Sequence, residues 1–488
     1  MPVDAISPVV RTESSLWRER LAALSLWFQS VRWQVCGLAF ITLIVYAPVV
    51  SYQFLNWDDG WYILWNDLIT SWHPWNLYRI LTEPVARNFA PATIGTFLVE
   101  HTLWQFWAGG YHATNLVIHL INGLLVLQLL RQLTRNEWMA WMVAVLFVVH
   151  PVQVESVAWI SSRKTLLCST WMLASCLCWF RPDRTHRDEG WGIFWLLLAL
   201  LSKAAVVTLP PLVVAYDLLI AKKRLPDSIA RQIIPTFFCV MLILITMNAQ
   251  VTIIGGLRGH IGMSKWRLLA IDCTLLWRYV GMLLCPRDLC VLYNPPVDGI
   301  VLLILLAVAG WILVACVLWK LRHSRPLATF AGIAWILLFL PVLNLFPLTT
   351  LMNDRYLYLP CVPFFAVAMG AIQGLARNVF SRFPVLKQSQ SALAVIASTV
   401  LIGAASWGTL TYLPIWKDPV SLWSYAREQA PEIPIVQIQW ALTLKDLGRF
   451  EEARQVLQQT IAQRSPDPAE QRLIHRMLEE IRKAEQSA

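Results

Sequence analysis

Charge is scarce in this sequence of 488 residues. Only 14% of it is Asp, Glu, Lys or Arg, where a soluble globular domain carries roughly 25%. The shortage excludes a disordered chain and a nucleic-acid-binding domain with a charged surface, and it argues against a soluble enzyme. Glycine is also modest, at 21 residues, which excludes a collagen-like repeat. No Cys-x-x-Cys pair finds a matching partner, so no zinc signal is present. The ten cysteines lie mostly inside apolar runs, where a thiol behaves as a small hydrophobe. Cys285 and Cys290 read either as a bridge in an oxidising compartment or as two free thiols.

What is present is apolar. Hydrophobic residues make up 57% of the chain, and 26 of them are Trp. Indoles gather at both membrane–water interfaces, so the composition predicts an all-α, polytopic integral membrane protein. The net charge of +10 is then read loop by loop.

Runs long enough to cross a bilayer, or nearly so, occur at Trp33–Tyr52, Ala113–Arg131, Trp138–His150, Thr165–Phe180, Trp191–Ser202, Ala205–Ile220, Ile233–Gln250, Ile300–Trp319, Leu327–Pro347, Leu359–Ala376 and Ala392–Tyr412. That is about eleven transmembrane helices. The pair at 191–220 reads as two short helices or one broken helix. Segment 266–284 carries Arg267, Asp272 and Arg278 and reads as interfacial or re-entrant. Lys and Arg concentrate in alternate loops: Arg18, Arg20 and Arg32; Arg131 and Arg135; Arg181, Arg184 and Arg187; Lys222, Lys223 and Arg224; Lys320, Arg322 and Arg325; Arg377, Arg382 and Lys387. The positive-inside rule makes these cytoplasmic. Residues 1–32 are therefore expected to be a cytoplasmic leader, and 33–412 a multi-span domain with a long outer loop at 53–112. Residues 413–488 fall on the outer side. In a bacterium the protein would sit in the inner membrane with its C-terminus periplasmic.

Within 413–488, Ala441, Leu444, Leu447, Gly448, Phe450, Ala453 and Leu457 follow tetratricopeptide spacing. One such unit cannot bury its face alone. It is expected to pack on helices at about 418–430 and 468–485, or on the membrane domain.

The polar residues of the outer side fall into clusters. Asp58 and Asp59 follow the first span directly and read either as a general base toward an acceptor hydroxyl or as a helix cap with a solvated charge. His150, Glu155, Arg163 and Lys164 join two spans, as either a phosphate-binding corner or a salt-bridged one. Arg355 is a further phosphate candidate, flanked by Tyr356 and Tyr358. Lys203 sits between two short apolar runs, where an unpaired ammonium is costly. His112, Asn115 and His119 share one helix face, for hydrogen bonding between helices rather than metal ligation. Carboxylates and several cations beside lipid point to an anionic, lipid-linked substrate.

Trp57-Asp58-Asp59, His150-Pro151 with Glu155-Ser156-Val157-Ala158-Trp159-Ile160 and Arg163-Lys164, Ser202-Lys203 with Pro210 and Asp217, and Asp354-Arg355-Tyr356 with Tyr358 and Pro360 resemble the transmembrane and tetratricopeptide-repeat O-mannosyltransferases and their bacterial relatives. That family lies in the C-type superfamily of polyprenyl-phosphate-sugar glycosyltransferases. The resemblance runs over about residues 33–465. Gln153 stands where the family often has His, Thr165 where an acid often follows Arg-Lys, and the repeat region is short. The resemblance implies a C-type glycosyltransferase fold and a monosaccharide donor on dolichyl or undecaprenyl phosphate. It implies transfer by inverting single displacement to a hydroxyl, with Ser or Thr of a periplasmic or surface protein as acceptor. Asp58 or Asp59 would be the base, with Glu155 next in line. Arg163, Lys164, Lys203 and Arg355, with Tyr356, Tyr358 and His150, would bind the donor and its phosphate. His112, Asn115 and His119 would meet the acceptor or support the site. No metal or other cofactor is expected, and no nucleic acid. The competing readings are a glycosyltransferase acting on an envelope lipid or polysaccharide, and a non-catalytic membrane scaffold.

Overall fold

The computed structural model describes residues 30–86, 88–254, 263–344, 350–383, 390–463 and 468–487. Most of the leader, with Arg18 and Arg20, and Lys387 lie outside the described residues. Within the described residues the apolar runs are helical. A backbone in hydrocarbon must satisfy its own hydrogen bonds, and a helix does so within one segment.

Helix α1 (Val31–Tyr46) leads through a 3-10 turn into the long segment 53–107, which folds as α2 (Pro74–Thr82) and α3 (Pro91–Trp104). The core helices follow: α4 (Ala108–Thr134), α5 (Glu137–Val149), the short α6 (Val154–Ala158), α7 (Arg163–Trp179), α8 (His186–Ser202) and α9 (Leu209–Leu219). Then come α10 (Leu225–Arg231), α11 (Ile233–Ile254), α12 (Lys265–Leu284), α13 (Val301–Leu321), α14 (Pro326–Phe339), α15 (Cys361–Arg382) and α16 (Gln390–Tyr412). Among the described residues there is no strand, only an isolated bridge between Val85 and Asn88.

Among the described residues, five helices are long and apolar enough to span a bilayer: Val31–Ser51, Ala108–Thr134, Val301–Leu321, Cys361–Arg382 and Ala392–Trp416. The number rises to seven if two bent pairs each count as one span. The other apolar runs form shorter helices. Seventeen residues in α7 or α8 rise only about 25 Å, less than the roughly 30 Å hydrocarbon core. The cuts have local causes. Pro151 cannot continue α5, and the chain bends by 55° there. At Lys203 the backbone turns extended between α8 and the next 3-10 turn. Such breaks are tolerated at membrane depth only where protein or a polar cavity covers them.

Helix α5 is buried from Met139 to Val149 except at Trp141, which is half-buried, as expected of an apolar helix with no polar stripe. Helix α13 is the opposite case: almost all of its apolar side chains point outward. An apolar surface of that extent suits lipid and not water. Helix α12 packs Ile271, Leu275, Tyr279 and Met282 into the same core as α5. Asp272 is buried there and accepts 3.0 and 2.6 Å bonds from the Asn344 backbone and side-chain amides. That pairing lets a charged helix, read from sequence as interfacial, join the packed bundle.

The C-terminal part contains α17 (Pro419–Gln429), α18 (Pro434–Asp446), α19 (Phe450–Gln463) and α20 (Pro468–Ser487). Gly448 makes the turn between α18 and α19 at φ +75°, a conformation that glycine adopts without strain. Ala441, Leu444, Ala453, Leu457, Ile474 and Ile481 form a small core of their own. By contrast, Leu422, Trp423 and Ala426 of α17 belong to the core of the membrane domain. Helix α17 is thus the seat on which the repeat rests.

Candidate active site

The segment that follows α1 is held tightly at its start. The Gln53 N–H donates to the Lys417 carbonyl over 2.9 Å. Asn56 donates to Thr443 Oγ1 over 2.9 Å and accepts from the Trp423 indole over 2.6 Å. Trp57 meets Trp423 edge to face, with centroids 5.3 Å apart. The loop before the acidic pair is therefore clamped to α17 and α18.

The two carboxylates then part company. Asp59 is fully buried. It accepts the Leu55 N–H at 2.9 Å, the Ser161 N–H at 3.0 Å and a short bond from Ser161 Oγ. Burial pushes its pKa up to about 6 against the pull of these donors. Asp58 keeps a side chain 35% exposed, and Lys164 Nζ lies 3.7 Å from its Oδ2. Among the described residues no closer donor holds that carboxylate. The backbone passes on into a π turn, Gly60–Leu64, whose Tyr62 is buried.

Arg163 and Lys164 diverge in the same way. Lys164 donates to the Tyr62 hydroxyl at 2.9 Å and lies over that ring. Asn88 holds the same hydroxyl from the far side at 2.9 Å. Arg163 is fully buried and points elsewhere. It makes two bonds to Glu100, at 2.7 and 2.9 Å, one to the Tyr111 carbonyl at 2.9 Å, and a short one to Asn115 Oδ1. With those donors engaged, Arg163 has little to offer a lipid phosphate. Its place is in the brace behind the site.

Arg355 sits 200 residues from Glu155 in sequence yet takes up both of its oxygens. The Arg355 N–H bonds Oε2 at 2.8 Å, and its guanidinium makes a short bond to Oε1. Glu155 is fully buried, so it reads as the anchor of Arg355 and not as a free base. The guanidinium lies over the Trp159 and Tyr356 rings, 5.2 and 5.5 Å from their centroids. The neighbouring Asp354 is buried and bonded by the Tyr293 and Tyr412 hydroxyls. Lys203, at the break after α8, donates to Thr165 Oγ1 at 3.0 Å. Burial lowers its pKa to about 8, and nearby Arg355 and Lys164 push the same way. Lys164 and Arg355 thus share an electrostatic neighbourhood with Asp58, and Lys203 shares one with Lys164 and Arg355.

The remaining candidates support this cluster from behind. Asn115 donates to the Val157 and Trp159 carbonyls at 3.2 and 3.1 Å. His119 bonds the Tyr358 hydroxyl at 2.8 Å and the Val148 carbonyl at 3.1 Å. His112 lies 3.4 Å from the Gln53 carbonyl. One face of α4 therefore holds the irregular backbone of 148–159 in place. His150 caps the turn after α5 by accepting the Val152 N–H at 3.4 Å. Tyr358 is buried and also accepts from Asn122 at 2.9 Å, so it does not join the cations. Among the described residues no three His, Cys, Asp or Glu side chains gather as a metal site. All ten cysteines are free, with Cys285 exposed and Cys290 buried.

Sequence reading missed Tyr62, Asn88, Glu100, Trp423 and Thr443. No spacing signals them, because each acts on a partner far away in the chain. Asn56 and Thr443 are 387 residues apart.

Comparison with known proteins places this geometry in context. A protein O-mannosyl-transferase of Caenorhabditis elegans is 23% identical over 395 residues, covering 75% of this chain and 52% of that protein. The protein O-mannosyl-transferase Tmtc3 of Drosophila melanogaster is 26% identical over 400 residues, 65% of this chain and 42% of that one. Human TMTC4, of the same description, is 29% identical over 168 residues, 30% of this chain and 23% of its own. The relatives agree with the resemblance carried by the motifs. The chain spans about half the length of the first two curated relatives it matches. No family model matches. Two solved structures align over 90% of the chain at 12% identity. They are ArnT from Cupriavidus metallidurans bound to undecaprenyl phosphate, with a TM-score of 0.40 over 82% of its chain, and the Archaeoglobus fulgidus oligosaccharyltransferase tethered to an acceptor peptide, with 0.44 over 59%. Those likenesses are too distant to carry an argument.

Proposed function

We propose that this chain is a membrane glycosyltransferase that moves a monosaccharide from a polyprenyl-phosphate-linked donor to a hydroxyl of a protein, at a site outside the cytoplasm. The observation that carries the reading is Asp58. It is a partly exposed carboxylate with one loose ion pair, to Lys164, and within the electrostatic reach of Arg355, while its neighbour Asp59 is locked into the fold. The likeness to protein O-mannosyl-transferases supports the class of reaction.

Asp58 takes the proton of the acceptor hydroxyl as its oxygen attacks the anomeric carbon. The bond from that carbon to the phosphate oxygen breaks, and the polyprenyl phosphate leaves with the electron pair. Attack opposite the leaving group inverts the anomeric centre. Lys164, Lys203 and Arg355, held in place by Tyr62, Thr165 and Glu155, stabilise the charge that develops on the phosphate. The scheme calls for no metal, because these side chains supply the positive charge. A protein acceptor fits a repeat that is clamped to the loop carrying Asp58. The Lys and Arg bias of the loops supports a periplasmic site and C-terminus in a bacterial inner membrane.

The test is Asp58→Asn, assayed in detergent with donor binding measured in parallel. Transfer should fall by about 10²–10⁴-fold while the donor still binds. Near-normal turnover in Asp58→Asn would remove Asp58 as the base, and absence of transfer by the unaltered chain would favour a scaffold.

A further inference from the structure

A cavity lies away from Asp58. Its volume is about 610 Å³, within the roughly 300–1,000 Å³ of ligand sites. It runs between α14 and α15 and takes in the far ends of α4 and α7. The carboxylate site is built at the start of α4, near Asn115. The cavity reaches Leu129 to Thr134 of that helix, roughly 20–30 Å further along at 1.5 Å per residue.

The slot is polarised along its length. Met172, Phe330, Ala334 and Val362 line an apolar body. Thr134, Gln373, Arg325 and Arg377 line one end. Arg325 precedes α14 and Arg377 lies in the last turns of α15, so the antiparallel helices bring both arginines to the same mouth. Both are exposed. Among the described residues, neither is joined to an acidic side chain. The loop charges place this end on the cytoplasmic side.

We infer that this slot is a binding site for an anionic glycerophospholipid of the cytoplasmic leaflet. Its acyl chain lies between α14 and α15, and its headgroup phosphate rests on Arg325 and Arg377. Basic pockets between membrane helices on the cytoplasmic side take such headgroups. The polarity sets the orientation. A polyprenyl phosphate held at Arg355 would thread its apolar tail toward two arginines, whereas a cytoplasmic-leaflet lipid meets them with its phosphate. The inference needs only the membrane reading and not the proposed transfer reaction.

Gly370 supplies a clean probe. A Cβ added there meets only Met139 Cε at 3.9 Å, and Gly370 lines the slot, so Gly370→Leu places bulk in it. The experiment titrates the purified full chain in nonionic detergent with dioleoyl-phosphatidylglycerol or dioleoyl-phosphatidylcholine. It reads thermal stability, and retained lipid by native mass spectrometry. Phosphatidylglycerol should raise Tm saturably and be retained; phosphatidylcholine should do neither. R325Q/R377Q should weaken the response about tenfold or more, and Gly370→Leu should abolish it. If Gly370→Leu fails to fold, the double Arg variant decides alone. Equal responses to the two lipids, or an unchanged response in R325Q/R377Q, would overturn the inference. So would retention of added undecaprenyl phosphate in place of phosphatidylglycerol.

Discussion

Asp58 and Lys164 stand 3.7 Å apart, a looser contact than the 2.9 Å bond that Lys164 gives to the Tyr62 hydroxyl. Tyr62 therefore fixes the ammonium, and the ammonium stays beside the carboxylate without capturing it. A base must keep a lone pair available for the proton it receives, and this arrangement leaves one.

Asp59 is expected to behave differently from its neighbour. In Asp59→Asn an amide must face the Leu55 and Ser161 donors, which should cost about 1–3 kcal/mol of stability. The pH response has a definite sign. The folded pKa, about 6, lies above the usual carboxylate value of 3.8, so between them the native state holds more protons than the unfolded one. Its contribution to stability should fall as pH rises from about 4 to 6. Thermal melts across that range should lose this component in Asp59→Asn.

Arg163 and Glu100 should matter for folding and not for donor recognition. Removing one partner of a buried pair leaves an uncompensated charge and costs about 3–5 kcal/mol. Arg163→Gln should lower the yield of inserted, folded protein. Arg163→Met with Glu100→Gln should recover much of it, with donor affinity near normal in the recovered material.

Arg355 calls for a gentler change, because Arg355→Ala would strand the buried Glu155. Arg355→Lys keeps the charge and loses the planar fork. It should weaken donor binding several-fold with a smaller effect on Tm, as measured by calorimetry and melting on the same preparation.

Lys203 gives the site an alkaline limit. Its pKa is depressed to about 8, first by burial, so the ammonium is lost as pH rises through that value. Affinity for the phosphate-bearing donor should decline between about pH 7.5 and 9. Lys203→Met should bind more weakly and show a flatter profile.

The helical architecture was legible because lipid demands long apolar runs and the loops carry a charge bias. Helix lengths were less so. The ends of α5 and α8 are set by Pro151 and by the buried seat of Lys203, and hydropathy cannot see either one. The site was legible as a set of motifs, but not in its division of labour. Consecutive helical residues point about 100° apart, so Arg163 and Lys164 have similar chemistry and face different surroundings. Asp58 and Asp59 differ for a related reason: Ser161 donors reach one of them and not the other. Glu155 looked like a spare base because its partner Arg355 is 200 residues away.

The clamp of Asn56 onto Trp423 and Thr443 also imposes an order in time. Ribosomes add about 5–20 residues per second, so the interval between making Asn56 and Thr443, 387 residues later, is roughly 20–80 s. During that interval the Asp58 loop has been translated but has no mate. The loop that carries the candidate base is thus left unclamped while the chain is threaded into the bilayer, and it is held only once α17 and α18 have been made.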